Sequence, residues 1–216
     1  YLQLWPGHGA GSACGKALGA VPQSTVGYEK RFNPAVQAAE SEQRFLGYVL
    51  EGQPEPPLYF ARMKRLNRDG PPVLGKLPQP RELNAADIRG IDGQRTAVLD
   101  TRPWAQFRAG HVQGSLFTPL NINFTAVVGS YVQENEPMVL VCDADKVDLA
   151  VRCLIRIGLD SVQGFATPAT LEAARGAGAA LATIPEISVT EASGHAQRKD
   201  AVILDVRRAG EYAAGH

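Results

Sequence analysis

The sequence is poor in cysteine: there are three among 216 residues, and no two form a C-x-x-C pair. This pattern argues against a disulfide framework and a thiolate zinc site, and it favours a reducing compartment, so we expect a cytoplasmic protein. The sequence also lacks an excess of one charge, because 22 Lys and Arg residues face 22 Asp and Glu residues. This balance argues against nucleic acid or an anionic membrane as the main partner, since both attract basic proteins.

Long apolar runs are missing as well, and nothing approaches the roughly 18 consecutive apolar residues of a membrane span. With 44% hydrophobic and 20% charged residues, the composition is that of an ordinary globular protein. The sequence opens at Tyr1 in a strand-like run and stops at His216 inside a repeated motif. We therefore expect an interior fragment of a longer polypeptide.

The first 81 residues divide into two segments. Residues 1–52 begin with a strand-like run and a Gly-rich turn, after which apolar periodicity predicts helices at 26–32 and 35–50. Residues 53–81 are rich in proline and are predicted to be a connector, in which the apolar stretch 58–64 favours a short helix.

From residue 82 onward, strand-like and helix-like patterns alternate. Buried strands are predicted at 97–100, 115–117, 138–142 and 161–163, and helices at 148–157 and 170–176. This alternation predicts an α/β fold with a mostly parallel sheet covered on both faces.

An internal repeat is the strongest sign of organisation in the sequence. The run Leu99-Asp100-Thr101-Arg102, followed by Gly110-His111, returns 105 positions later as Leu204-Asp205-Val206-Arg207 and Gly215-His216. An aromatic residue occupies the same place in both copies, as Phe107 and as Tyr212. We therefore expect one near-complete structural unit and the opening of a second.

The repeated element resembles the opening signature of the rhodanese family, which is a strand ending in Leu-Asp-x-Arg, then an aromatic residue, then Gly-His and a Gly-Ser or Gly-Ala pair. The resemblance implies a doubly wound parallel-sheet domain at 82–185 and the truncated start of a second at 186–216. In this family the motif supports the fold, which implies a structural role for Asp100, Arg102, His111, Asp205 and Arg207.

Cys142 stands close to the position of the rhodanese nucleophile, at the end of the most strand-like run. That chemistry needs a thiolate held by the amides of a loop and by a helix N-terminus. The following stretch, 143–148, has no glycine and carries three acids against one lysine. Nearby carboxylates raise the pKa of a thiol and repel an anionic sulfur donor, so this first unit is predicted to be inactive.

The run from Trp5 to Lys16 resembles the last metal-site motif of metallo-β-lactamase-fold enzymes of the glyoxalase II and persulfide dioxygenase branch, in which a strand delivers a histidine to the metal. The stretch 24–34, ending in Asn-Pro, resembles the closing helix of that branch, and 54–72 resembles the connector of persulfide dioxygenases fused to rhodanese domains. The resemblance implies that 1–81 is the C-terminal part of such a fold, with His8 as a metal ligand or beside the metal.

The combined resemblance implies a sulfur-metabolising enzyme that oxidises glutathione persulfide, or a related small persulfide, with O2 to sulfite at an Fe(2+) centre. The other metal ligands of the family are absent from this sequence, so the fragment itself is expected to be inactive. Lys16 and Arg31 are candidates to bind the carboxylates of a glutathione-type substrate. The rhodanese-like domains would handle sulfane sulfur, and a homo-oligomer is left open.

Two alternatives stay open on the sequence alone. One is a zinc-dependent thioester hydrolase of glyoxalase II type that carries rhodanese domains, and it differs from the dioxygenase in its metal. The other is a non-catalytic module in which the inactive rhodanese-like domain only holds partners or subunits together.

Overall fold

The computed structural model describes residues 1–8, 21–53, 56–198, 201–207 and 209–215. The chain divides into two compact units, Tyr1–Pro56 and Pro57–His216. Among the described residues, no helix is long and apolar enough to cross a membrane.

In its described residues, the first unit has a two-stranded antiparallel ribbon and three short helices. Its elements are β1 (Gln3–Leu4), β2 (Ser24–Thr25), α1 (Val26–Phe32), α2 (Pro34–Ala38) and α3 (Glu42–Leu50), and β1 pairs with β2.

Local side-chain hydrogen bonds set the bounds of α1. The Thr25 hydroxyl accepts a hydrogen bond from the Tyr28 amide (3.2 Å), which caps the start of the helix. At its end, the Asn33 side chain accepts from the Ala35 amide (2.9 Å) and begins α2. The helix predicted at 26–32 is therefore confirmed with the same bounds.

The single helix predicted at 35–50 is wrong, because the structure has two helices there. Ser41 is extended, with φ −140° and ψ 145°, and its hydroxyl accepts a hydrogen bond from the Arg44 amide (3.2 Å). A serine in this position satisfies a free amide at the start of a new helix, and this competes with continuing the old one.

The second unit is a parallel sheet with helices on both faces. In chain order its elements are α4 (Phe60–Asp69), β3 (Arg81–Glu82), α5 (Ala85–Arg89), β4 (Ala97–Asp100), α6 (Trp104–Ala109), β5 (His111–Val112), β6 (Leu116–Phe117), α7 (Phe124–Tyr131), β7 (Met138–Val141), a 3₁₀ turn (Ala144–Lys146), α8 (Val147–Ile155), β8 (Val162–Ala166), α9 (Pro168–Gly176), β9 (Leu181–Ala182), α10 (Val189–Arg198) and α11 (Ala209–Ala214). The strand order in the main sheet is β3-β8-β7-β4-β6, with every pair parallel, and β5 pairs antiparallel with β9.

Two apolar clusters cover the two faces of this sheet. Leu99 and Leu140 belong to a cluster with buried residues of α7 and α8, whereas Val98 and Val139 belong to one with buried residues of α5 and α9. Alternate residues of β4 and β7 thus point to opposite clusters, and both strands are fully buried. The predicted α/β fold with a parallel sheet covered on both faces is confirmed.

The elements predicted from residue 82 onward are present, with bounds that differ by a few residues, but five helices among the described residues were missed. These are α5, α6, α7, α10 and α11, of five, six, eight, ten and six residues. The Asn84 side chain accepts from the amides of Ala86 and Asp87 and makes a capping box with Asp87, which is a local signal for α5 that hydrophobic periodicity does not detect.

Helix α4, in the stretch predicted to be a connector, packs against the sheet unit. Tyr59 and Met63 lie against the cluster that contains α7 and α8, and Arg65 pairs with Glu134. A Cβ added at Gly158 would lie 2.5 Å from Leu66 Cδ1, so the helix rests directly on this glycine. The short helix predicted around 58–64 is confirmed, and it contributes to the sheet unit.

Candidate functional site

The carboxyl ends of the parallel strands form the edge at which α/β folds usually bind ligands. Asp100 ends β4, Thr118 follows β6 and Cys142 follows β7, and all three are buried. The structure therefore brings the predicted motif residue Asp100 and the predicted nucleophile position Cys142 to one edge.

Asp100 and Arg102 form a closed, buried ion pair at this edge. The Arg102 amide and Nε donate to Asp100 Oδ1 (3.0 Å each), and Nη2 donates to Oδ2 (2.6 Å). The same Nη2 donates to the Gly110 carbonyl oxygen (2.8 Å), which ties the end of β4 to the end of α6. Both charged groups are thus used in closing the loop around α6.

His111 lies in β5 and is held inside the unit. Its Nδ1 is 2.9 Å from the Phe107 carbonyl oxygen, and its ring stacks on the Phe107 ring with centroids 4.1 Å apart. The residue is 7% exposed, and β5 pairs with β9 beside it. This environment presents the ring to protein rather than to an open cleft.

The second copy of the motif forms the same contacts. The Arg207 amide donates to Asp205 Oδ1 (2.8 Å), Nη2 donates to Oδ2 (2.6 Å), and Nη2 also donates to the Gly215 carbonyl oxygen (3.0 Å). Helix α11 likewise occupies the positions 105 residues after α6. The second pair, however, is partly exposed rather than buried. These hydrogen bonds are therefore made by the local sequence and do not need the sheet.

Cys142 is buried, and its thiol is held in the protonated form. The residue is 1% exposed, and its amide donates to the Ala166 carbonyl oxygen (3.0 Å), which continues the pairing of β7 with β8. Burial, and secondarily the charge of Asp143, raises the pKa of the Cys142 thiol to about 12. A thiol in this state is a poor nucleophile near neutral pH.

The loop after Cys142 is closed by its own hydrogen bonds. Residues 144–146 form a 3₁₀ turn, in which the Lys146 amide donates to the Asp143 carbonyl oxygen (3.0 Å) and the Val147 amide donates to that of Ala144. The Lys146 ammonium also pairs with the Asp143 carboxylate (2.7 Å). These two amides and this cation are thus already used and do not form a cradle for an anion.

The candidate residues of the first unit that the structure describes are exposed on the surface. His8 is exposed in a turn, and Arg31 is exposed on α1 with its guanidinium over the Phe32 ring at 5.6 Å. Lys16 lies outside the described residues. Within the described part of the chain, no group of three or more His, Cys, Asp or Glu side chains could hold a metal ion. A predicted iron or zinc centre would therefore need ligands beyond His8.

Two open clefts lie away from Cys142. One, of ≈ 670 Å³, is at the opposite edge of the sheet and is lined by Thr96, Pro137 and Gln163 among others. The other, of ≈ 550 Å³, lies between α5 and the loop before β9, and Gly93 and Gly178 are among its lining residues. Neither cleft gives access to the thiol.

Sequence reasoning missed a cluster around Glu186. This carboxylate accepts hydrogen bonds from Trp104 Nε1 and from Arg108 Nη1, each at 2.6 Å. Because these partners are about 80 residues apart in the chain, periodicity and motif spacing carry no signal for the contact.

The comparisons with known proteins agree with this geometry. The profile of the rhodanese-like domain family matches residues 86–167. Those residues include the buried Asp100–Arg102 pair, the central strands and Cys142. The chain therefore contains a rhodanese-like domain. A search of the curated proteins gives no match.

Among solved structures, a metallo-beta-lactamase from Staphylococcus aureus subsp. aureus COL is similar to the chain. It is 35% identical with a TM-score of 0.58, and the match covers 78% of this chain and 45% of that one. The chain thus spans less than half the length of that protein. The matched share of this chain is larger than the segment 86–167 can provide, so the similarity extends beyond the rhodanese-like domain.

Two weaker likenesses involve smaller proteins. The Alr3790 protein from Anabaena sp. is 17% identical, with 54% of this chain and 93% of that chain covered and a TM-score of 0.40. A rhodanese-related protein from Thermoplasma volcanium is 18% identical, with 48% and 99% covered and a TM-score of 0.36.

Proposed function

We propose that this chain is part of a sulfur-metabolising enzyme that joins a metallo-β-lactamase-fold catalytic region to rhodanese-like domains. The observation that carries the proposal is the 35% identity to a metallo-beta-lactamase over 78% of the chain, well beyond the rhodanese-like segment. In the full-length protein, the reaction is the oxidation of glutathione persulfide, or a related small persulfide, by O2 to sulfite.

In this proposal the metal is iron in the full-length protein. His8 is the one residue of the chain that the family motif assigns to the metal site, and a single imidazole does not bind a catalytic iron ion. The described residues therefore do not form the centre. Arg31, exposed on α1, and Lys16 are the proposed contacts for the carboxylates of the substrate.

The rhodanese-like domain at 82–185 acts in this proposal as a scaffold. Sulfur transfer by a rhodanese mechanism requires an accessible thiolate with amides that face its sulfur. Cys142 is buried, the pKa of its thiol is raised to about 12, and the loop amides of Lys146 and Val147 are paired within the chain. These observations support a domain that has kept the fold without the chemistry.

Oxygen uptake by the full-length, iron-loaded protein tests the proposed reaction. With glutathione persulfide as substrate, we expect O2 consumption matched by sulfite formation. An iron-replete sample that consumes no O2 would overturn the dioxygenase. Hydrolysis of glutathione thioesters by a zinc-containing protein would then identify a hydrolase of glyoxalase II type, and the absence of both activities would identify a binding module.

Sulfur transfer by the 216-residue chain tests the scaffold role separately. With thiosulfate as donor and cyanide as acceptor, we expect no thiocyanate above the level of a Cys142→Ser variant. Cys153→Ser, which changes a half-buried cysteine on α8, is the matched control. Transfer that persists in the Cys153 variant and disappears in the Cys142 variant would show that the domain is active.

A further inference from the structure

The segment 183–188 leads from β9 to α10 and lies on α6 of the rhodanese-like domain. Both carboxylate oxygens of Glu186 are held there: Trp104 Nε1 donates to Oε1 and Arg108 Nη1 donates to Oε2, each at 2.6 Å. A third bond joins the backbones, from the Ile184 amide to the Arg108 carbonyl oxygen (2.9 Å). One carboxylate thus engages two donors one helical turn apart, while the backbone beside it is fixed as well.

The receiving surface on α6 is held in place by aromatic packing. The Trp104 ring lies against the Phe107 ring (5.9 Å between centroids) and edge-on to that of Phe117 (5.2 Å). Phe107 is buried and stacks in turn on His111. The indole N–H is therefore pre-positioned for a carboxylate, and little side-chain entropy is lost when the contact forms.

The internal repeat shows that this surface is not part of the rhodanese motif itself. At the positions 105 residues after Trp104 and Arg108, the second copy has Ala209 and Ala213. The second copy nevertheless forms the same Asp–Arg–Gly contacts and the same helix. The indole of Trp104 and the guanidinium of Arg108 are thus not needed to build the motif. In the structure their partner is Glu186, which lies outside the motif.

The contact is close to the start of the next element. Ser188, two residues after Glu186, caps the segment that begins α10: its hydroxyl accepts from the Glu191 amide (3.2 Å), and its own amide donates to the Glu191 carboxylate (2.7 Å). Since only one residue separates the fixed carboxylate from the cap, holding Glu186 also holds the origin of α10.

We propose that Trp104 and Arg108 form a carboxylate-binding surface whose partner is Glu186 of the same chain. This contact, the Glu186 latch, fixes the position at which the chain leaves the first repeat and enters the second. The surface connects the two repeats and is independent of the reaction proposed above. It accounts for a Trp and an Arg that are present in the first copy only.

Hydrogen exchange of the Ile184 amide, followed by mass spectrometry of a peptide spanning 180–190, measures the latch directly. In Glu186→Ala we expect exchange about threefold to tenfold faster than in the unchanged chain, because a partly exposed charge-assisted pair contributes modestly. Arg108→Ala should give a similar increase. Asp148→Ala is the matched control: it breaks an exposed ion pair with Arg152 on α8 and should leave this peptide unchanged.

A double-mutant cycle separates the latch from a general loosening of the domain. If the two residues act together, Glu186→Ala combined with Arg108→Ala accelerates exchange no more than Glu186→Ala alone, because that change already removes the partner of Arg108. Thermal unfolding monitored by circular dichroism shows whether each variant is folded. Unchanged exchange in folded Glu186→Ala, or fully multiplicative effects in the double variant, would overturn the proposal.

Discussion

At the scale of single residues, the same ion pair occurs twice in different surroundings. Asp100 and Arg102 are buried, with side chains 1% and 4% exposed, whereas Asp205 and Arg207 are 24% and 46% exposed. Removing one partner of a buried pair leaves an uncompensated charge in the interior, which costs far more than losing an exposed pair.

Arg102→Ala should therefore lower the free energy of unfolding by about 3–5 kcal/mol. Arg207→Ala removes the same set of hydrogen bonds at the surface and should change stability very little. Urea denaturation of the two variants and the unchanged chain measures the difference. Equal losses in both variants would mean that the burial of the first pair has no energetic consequence.

The pKa of the Cys142 thiol predicts how stability changes at high pH. A thiol in the unfolded chain ionises near pH 9, whereas burial keeps the folded thiol protonated to about pH 12. Between these values the unfolded state binds fewer protons, so stability is lost as the pH rises. Below pH 9 both states keep the proton and the effect vanishes.

Cys142→Ala should remove this part of the pH dependence. Urea denaturation at intervals between pH 8 and pH 11 is expected to show a steeper loss of stability for the unchanged chain than for the variant. Cys153→Ala, at a half-buried position, is the control. Parallel curves for the unchanged chain and the Cys142 variant would show that the folded thiol ionises as an exposed one does.

At the scale of elements, helix α4 depends on a glycine from a distant part of the chain. Gly158 ends the α8 region with φ +72°, a conformation that side chains rarely adopt, and Leu66 of α4 lies directly above it. A methyl group at this position would strain the backbone and also push against the helix.

Gly158→Ala should destabilise the sheet unit by about 2 kcal/mol or more, and it should increase proteolysis between α4 and β3. Gly176→Ala is the matched control, because an added Cβ there meets nothing within 4 Å and the residue is helical. Alanine at that position should be neutral or slightly stabilising. Equal stability of the two variants would show that α4 is not seated on the glycine.

At the scale of the whole molecule, the fold of the rhodanese-like domain is present without the accessible thiolate that the chemistry of that family needs. The sheet delivers Cys142 to the edge at which a rhodanese nucleophile is expected, yet the following loop closes on itself and the residue is buried in the apolar cluster that contains α7 and α8. The similarity to a metallo-beta-lactamase extends beyond this domain. In the proposed enzyme, the first rhodanese-like domain positions other parts of the protein, and the Glu186 latch is one means by which it does so.

The sequence by itself determined the local features of the protein. Apolar runs at 97–99 and 138–141 predicted the central strands, because a strand covered on both faces is apolar on both. The Asp-x-Arg element forms the same hydrogen bonds in an exposed copy and in a buried one. Its contacts span at most eight residues, so the local sequence is sufficient to specify them.

Only the tertiary structure decided which groups are buried and which distant residues meet. The acids after Cys142 predicted a raised thiol pKa, but burial is the larger cause, and burial depends on the packing of the sheet and its helices. Glu186 and Arg108 are 78 residues apart, and α4 reaches Gly158 across a similar distance in the chain. No periodicity encodes such contacts, because they arise only when separate elements pack against one another.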